Sequence, residues 1–317
     1  MAEQRPQVLT WHVHGNYLYY LSQVDADFWL VRGPPGGDPH HAGRCGDLPW
    51  GDNVHDAPIE RLHQLRLDAV LYQSRRAWEH DRQVLLSPAQ QTLPALVLEH
   101  DPPQEHPTNT RHWAADTGAV LIHVTPFNAL MWDNGNSRCE VIEHGILPLA
   151  DARYSGERAA GIVVVNNLRR RGRRLGLDLF EQMRERVPLA LVGMGSAELG
   201  GLGEVGHRDL PGLMARHRFF FNPIRYTSLG LAVLEAMFAG VPVVGLATTE
   251  LATVIRDGHN GFIDTRPQRL IEAMQALLES PSLAEALGEQ GRRTAMERFA
   301  IGRFVSDWQR LLREVCG

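Results

Sequence analysis

The chain has 317 residues, 44% of them hydrophobic and 22% charged, with 32 Lys and Arg against 37 Asp and Glu and a formal net charge of -5. That length suits two domains better than one, and the composition is that of an ordinary soluble globular protein. The acidic balance argues against a dedicated nucleic-acid binder, and no apolar run approaches the roughly 20 residues of a membrane span.

In the first half, short apolar strands alternate with helices. Residues 8–10, 28–30, 69–71, 95–98 and 120–124 read as strands, with a helix at 17–21 after the first. These could build a parallel sheet of their own. Residues 32–58, rich in Gly, Pro, Asp and His, read as a long loop. Two strand ends carry polar side chains: His12-Val13-His14-Gly15-Asn16-Tyr17 after the first strand, and His100-Asp101 after 95–98. A metal site at His12 and His14 would need a third ligand, and none is in view. His106 and His112 have no spacing that points to a chemistry. The stretch 148–158 reads as a hinge.

The second half opens with a strand at 161–165, then Asn166-Asn167-Leu168 and five arginines in six positions, Arg169 to Arg174. Alone, such a run is a solvated basic face or a nucleic-acid patch. A strand at 189–195 ends in Gly193-Met194-Gly195. Residues 218–222 form an apolar strand, 223–228 a turn and 229–239 a helix with Leu231, Leu234 and Met237 at core spacing and Gly240 at its end. Residues 241–246 are the β-branched run of a buried parallel strand. Asp257-Gly258 and Asn260-Gly261 turn the chain into a last strand at 262–263. Ligands of such sheets bind beyond the carboxyl ends of the strands. That places 223–230 and 247–250 at the rim of a site. The free N–H groups and positive dipole end at Ser228-Leu229-Gly230-Leu231 suit an anionic diphosphate. The final helix, about 301–314, carries Phe304, Trp308, Leu311 and Leu312 at helical spacing.

The run Pro223-Ile224-Arg225-Tyr226-Thr227-Ser228-Leu229-Gly230-Leu231, then Glu235-Ala236-Met237-Phe238-Ala239-Gly240-Val241-Pro242-Val243-Val244, resembles without insertion the signature of the retaining glycosyltransferases of family 4. The resemblance implies an α/β chain of GT-B fold, two Rossmann-like β/α/β domains facing each other across a cleft. Residues 1–150 would be the acceptor-side domain and 151–300 the nucleotide-sugar donor domain, with helix 301–317 packing back on the first. It also implies roles. Arg169 and Arg174 would clamp the diphosphate, Gly193 would turn the chain near the nucleotide, and Glu235 would hold ribose hydroxyls. Thr227 stands where the family has the first Glu of its Glu-x7-Glu pair. A threonine can hydrogen-bond the donor sugar there but supplies no charge. Thr249-Glu250-Leu251-Ala252-Thr253 replaces the family's Gly-Gly-x-Pro-Glu, a second departure in the donor-sugar pocket. In the first half, Gly15 and Asn16 resemble the family's phosphate-facing glycine turn, and His100 its strand-end histidine beside the reacting centre. Residues 141–146 resemble its last strand before the hinge, with Glu143-His144 replacing Pro-Asn.

The expectation is a glycosyltransferase moving a hexose-type sugar from a nucleotide sugar, such as a UDP- or GDP-sugar, to a carbohydrate, lipid or other hydroxyl acceptor. Retention is expected, with no cofactor and no metal, since arginines and a helix start can replace a cation. The domains would close over the donor and exclude water. Loop 32–58 offers acceptor contacts, and spare arginines could face an anionic membrane. Alternatives are a GT-B epimerase or hydrolase, which needs dedicated carboxylates, and a non-catalytic nucleotide-sugar binder, which Thr227 favours. A nucleic-acid binder lacks interleaved aromatics. Cys45, Cys139 and Cys316 read as free thiols in a reducing compartment. Met1-Ala2-Glu3-Gln4-Arg5 does not read as a signal peptide, so the expected location is the cytoplasm.

Overall fold

The computed structural model describes residues 5–13, 15–149 and 152–317. His14, the first four residues and the expected boundary at 150/151 lie outside them. The chain divides into two compact units: unit 1 runs up to Gly145 and adds Ile301–Gly317, and unit 2 is Ile146–Ala300.

Unit 1 is a seven-stranded parallel sheet of β1 (Gln7–Thr10), β2 (Asp27–Arg32), β3 (Val54–Pro58), β4 (Ala69–Tyr72), β5 (Ala95–Glu99), β6 (Val120–His123) and β7 (Cys139–Val141), in the order β3-β2-β1-β4-β5-β6-β7. Its central strands are apolar on both faces, as helices and loops on both sides of a parallel sheet require. Two expectations are corrected here. The loop expected over 32–58 contains β3, in register with β2 from Phe28↔Val54 to Arg32↔Pro58. Its sequence, VHDAP, has little β signal, because Asp56 is stabilised by long-range partners, Arg32 Nη1 at 2.6 Å and Arg44 N at 2.7 Å. The strand expected at 141–146 lies earlier, at Cys139–Val141. The helix Ile301–Cys316 covers unit 1, burying Phe304, Trp308, Leu311 and Leu312. Trp308 Nε1 donates to Tyr17 OH at 3.3 Å and Arg303 Nη2 donates to the carbonyls of Glu143 and His144 at 3.0 and 2.5 Å.

Unit 2 is a five-stranded parallel sheet of β8 (Arg158–Val164), β9 (Leu189–Val192), β10 (His217–Asn222), β11 (Val243–Leu246) and β12 (Phe262–Asp264), in the order β12-β11-β10-β8-β9. β10 is buried throughout. Phe219 and Phe221 point into one core with Phe180 and Met183 of helix Leu177–Arg184 and Leu270 and Met274 of helix Pro267–Glu279. Each such phenylalanine contributes about 1.5–3 kcal/mol. The helix after β10 is Leu231–Phe238, two residues later than its apolar pattern suggests, with Gly230 extended at φ −70° and ψ 137° as its N-cap. The arginine run is folded into one α turn, Leu168–Arg171, and a 3-10 turn, Gly172–Leu175. Helices Pro267–Glu279 and Pro281–Arg298 follow β12.

Because β9 and β10 flank β8 on opposite sides, the connections leaving β8 and β10 diverge. Their carboxyl ends form the topological switch point of the sheet, the place where open parallel sheets bind ligands.

Candidate functional site

The turns after β8 and β10 are fastened to each other at that switch point. Arg225 N donates to Arg174 O at 3.0 Å, and Arg225 Nη1 donates to Arg173 O at 2.7 Å. The Arg225 guanidinium also forms a fork on Asp178, at 2.6 and 2.9 Å, which holds that carboxyl below the usual range. Gly176, at φ +87°, lies against Pro223, where an added Cβ would stand 2.2 Å from the Pro223 carbonyl oxygen. No other residue type permits that approach. The β9 turn joins the same assembly: Asn166 Oδ1 accepts from Met194 N at 2.9 Å, and Asn167 N donates to Met194 O at 2.6 Å. Gly193 is buried in this turn at φ +130°.

The basic side chains are not equivalent. Arg173 is 76% exposed and pairs with Asp178 at 2.5 Å. Arg169 is exposed, donates to Glu198 O at 3.3 Å and lies 3.7 Å from its carboxylate. Arg174 is half-buried, and its guanidinium has no hydrogen-bond or ion-pair partner among the described residues. It lies close enough to oppose the upward shift that burial gives the Tyr226 phenol. Ser228 and Leu231 are half-buried, Leu229 is buried and Gly230 is exposed, with open space where its Cβ would point. A cation anchored by its backbone, beside an open helix start, is a receptor for an anion.

Glu235 lies one turn into that helix, 1% exposed, with Oε1 3.9 Å from His207 Nδ1. Burial, and then Arg208, push the His207 imidazole below its ordinary pKa. Thr227 is half-buried in the loop before the helix. The switch point thus gathers Arg174, Thr227, Ser228, Leu229, Gly230 and Leu231 on adjoining turns, with Arg169 and Gly193 on the neighbouring ones.

Unit 1 has its own switch point, between β1 and β4. His100 follows β5 there, and its Nε2 donates to Gln73 Oε1 at 3.0 Å. Gln73 Nε2 in turn donates to Thr10 Oγ1 and Trp11 O. Tyr17 meets the His100 ring edge-on at 4.8 Å. Gly15 and Asn16 begin helix Gly15–Leu21, and Leu48 lies over Gly15. Burial lowers the His12 pKa, against a hydrogen bond from its Nδ1 to Gly43 O at 3.0 Å. Among the described residues no group of three or more His, Cys, Asp or Glu is placed to hold a metal ion.

Comparison with known proteins bears on unit 2 first. Residues 159–280 match the family of glycosyl transferases group 1. Among curated relatives, N-acetyl-alpha-D-glucosaminyl L-malate synthase of Bacillus anthracis is 32% identical over 90 residues, 28% of this chain and 24% of that protein. Alpha-D-kanosaminyltransferase of Streptomyces kanamyceticus is 24% identical over 115 residues, 36% and 30% of the two chains. O-antigen chain mannosyltransferase B of Escherichia coli is 48% identical over 56 residues, 18% and 15%. The chain thus spans no more than about a third of the curated relatives it matches. Solved structures extend the likeness to both units. Anabaena Alr3699/HepE, in complex with UDP and glucose, superposes with a TM-score of 0.72 at 14% identity, over 98% of this chain and all of that one. Sucrose-phosphate synthase from Thermosynechococcus elongatus gives 0.70 at 17% identity, over 98% and 99%. The two parallel-sheet units are those of the GT-B fold.

The group 1 segment includes all of the switch-point residues. Three features of the site had no local sequence signal. The Arg225–Asp178 fork, His207 beside Glu235 and the Asn166 cap on Met194 each join segments far apart in the chain. Only the position of Arg225, three residues past the end of an apolar strand, marked it as a rim residue.

Proposed function

We propose that the chain is a glycosyltransferase that moves a hexose-type sugar from a nucleotide sugar to an acceptor hydroxyl, with retention and without a metal ion. Arg174 carries the reading: a half-buried guanidinium with no protein partner among the described residues, fixed at the switch point beside an open helix start. The group 1 match over the same residues supports it, as do the complexes of the HepE structure with UDP and glucose.

In such a transfer the bond between the anomeric carbon and the diphosphate oxygen breaks. Negative charge grows on the leaving phosphate and positive charge on the sugar. Arg174 and the N–H groups of 229–231 oppose the first charge, in place of a cation. Arg169 would join them by exchanging Glu198 for phosphate. Glu235 accepts from ribose hydroxyls, and Thr227 hydrogen-bonds the sugar. The acceptor proton passes to the departing phosphate oxygen, so no dedicated base is required. His100 is assigned to the transferred sugar and unit 1 to the acceptor; His100→Ala would slow turnover while leaving nucleotide affinity unchanged.

Thr227 in place of a glutamate favours a second reading, a nucleotide-sugar binder without turnover. One experiment separates them: melting shift and nucleotide release across UDP-, GDP-, ADP- and TDP-sugars, with and without simple sugar acceptors and with EDTA. Shift with EDTA-insensitive release supports the transferase, and Glu235→Ala should abolish the shift. Shift without release for any acceptor supports the binder. No shift with any donor overturns both.

A further inference from the structure

The turn after β11 holds a strained residue that phosphate binding does not need. Thr249 has φ +51°, in the left-handed region. Asp116 and Asn167, the other non-glycine residues at positive φ among those described, are of types that tolerate it. A β-branched residue enters that region only where its surroundings impose it. Here both neighbours do. Thr248 N donates to Leu246 O at 2.8 Å, and its Oγ1 donates to Ile224 O at 3.3 Å in the turn after β10. Glu250, 1% exposed, accepts from Arg298 Nη2 at 2.9 Å and from Thr253 Oγ1 at 2.5 Å. Arg298 also donates to Thr253 O at 3.3 Å and lies over the Phe299 ring, 5.1 Å from its centroid. Glu250 is buried while the Arg298 side chain is 29% exposed, and leaving that carboxylate without its partner would be costly, so the pair holds the turn in place.

Glycine would occupy the Thr249 backbone without strain, so the positive φ is a cost of keeping a side chain there. The threonine side chain is therefore what the strain retains. Thr249 is half-buried at the carboxyl end of β11, next to the β10 turn that carries Thr227.

We propose that Thr249 is a specificity-determining residue whose hydroxyl, set by the Glu250–Arg298 fixture, reads one hydroxyl of the transferred sugar. Glu250 and Arg298 are then positioning residues. The inference rests on reading unit 2 as a nucleotide-sugar site, and the test keeps the two apart.

The probes are free UDP, GDP and ADP, and donor pairs that differ at one hydroxyl: UDP-glucose with UDP-galactose, and GDP-glucose with GDP-mannose. The wild type should separate the members of one pair. Thr249→Ala should shrink that Kd ratio about tenfold, the value of one hydrogen bond at about 1.4 kcal/mol. Affinity for the free diphosphate should not change. Thr249→Gly should lose the same ratio and raise Tm by about 2–4 °C as the strain is relieved. Arg298→Ala should also lose the ratio, and Arg298→Lys should recover part of it. An unchanged ratio in a folded Thr249→Ala that binds donors overturns the inference alone, and so does a wild type indifferent to every pair. A wild type that binds none of the probes overturns the donor-site reading, and this inference with it.

Discussion

Among the arginines of the 169–174 run, burial and anchoring decide which is assigned the proposed phosphate contact. The side chains of Arg170 and Arg174 both lack a protein partner among the described residues, but Arg170 is exposed while Arg174 is half-buried and tied through its carbonyl to Arg225. An exposed arginine must lose side-chain entropy to bind and works in high dielectric, so it contributes little. A pre-positioned, partly desolvated one contributes about 1.5–3 kcal/mol through charge-assisted hydrogen bonds. Arg174→Ala should therefore weaken nucleoside-diphosphate binding by roughly 10- to 100-fold, and Arg170→Ala by less than about twofold. Arg174→Lys should fall between, since it keeps the charge but loses the fork. Titration calorimetry with the nucleotide that gives the largest melting shift reads all three. A large loss in Arg170→Ala with none in Arg174→Ala would transfer the role.

At the scale of elements, the β8 and β10 turns act as one body because Gly176 lets the backbone pass against Pro223. Gly176→Ala adds a Cβ 2.2 Å from a carbonyl oxygen at a φ of +87° that alanine avoids, so one turn must move. Strain of this kind costs about 1–3 kcal/mol. The expected outcome is a lower Tm together with weaker diphosphate binding, whereas Gly172→Ala, at φ +59° with open space around it, should lower Tm less and leave binding near wild type. Equal loss of binding in both would mean that the fastening of the turns is irrelevant. The same elements show what was legible in the sequence. β10, its helix and β11 were readable because burial on both faces leaves an uninterrupted apolar run between Gly and Pro. β3 was not, because a polar edge strand is defined by its partner's register and by Arg32, 24 residues away from Asp56. Within the site, Gly230 and Glu235 lie at fixed offsets in one segment, so their proximity could be read. His207 beside Glu235, and Asp178 beneath Arg225, arise only when separate turns meet.

At the scale of the whole chain, the two units can be followed independently. All seven tryptophans lie in unit 1: Trp11, Trp29, Trp50, Trp78, Trp113, Trp132 and Trp308. Indole fluorescence therefore reports unfolding of unit 1, while the proposed nucleotide at the β8–β10 switch point would stabilise unit 2 by mass action, by about 2.7 kcal/mol at one hundred times Kd. Helix Ile301–Cys316 follows unit 2 in sequence but packs in unit 1, where Trp308 is 1% exposed and donates to Tyr17, and where Phe304 meets the same tyrosine edge-on at 5.7 Å. Trp308→Ala leaves a cavity costing about 3–5 kcal/mol. The fluorescence transition should fall by several degrees in this variant, while the calorimetric transition that nucleotide raises should hold its position. A nucleotide-dependent rise of the fluorescence transition equal to the calorimetric one, in wild type and variant alike, would show instead that both units unfold in one cooperative step, and that a defect in the last helix is felt at the switch point of unit 2.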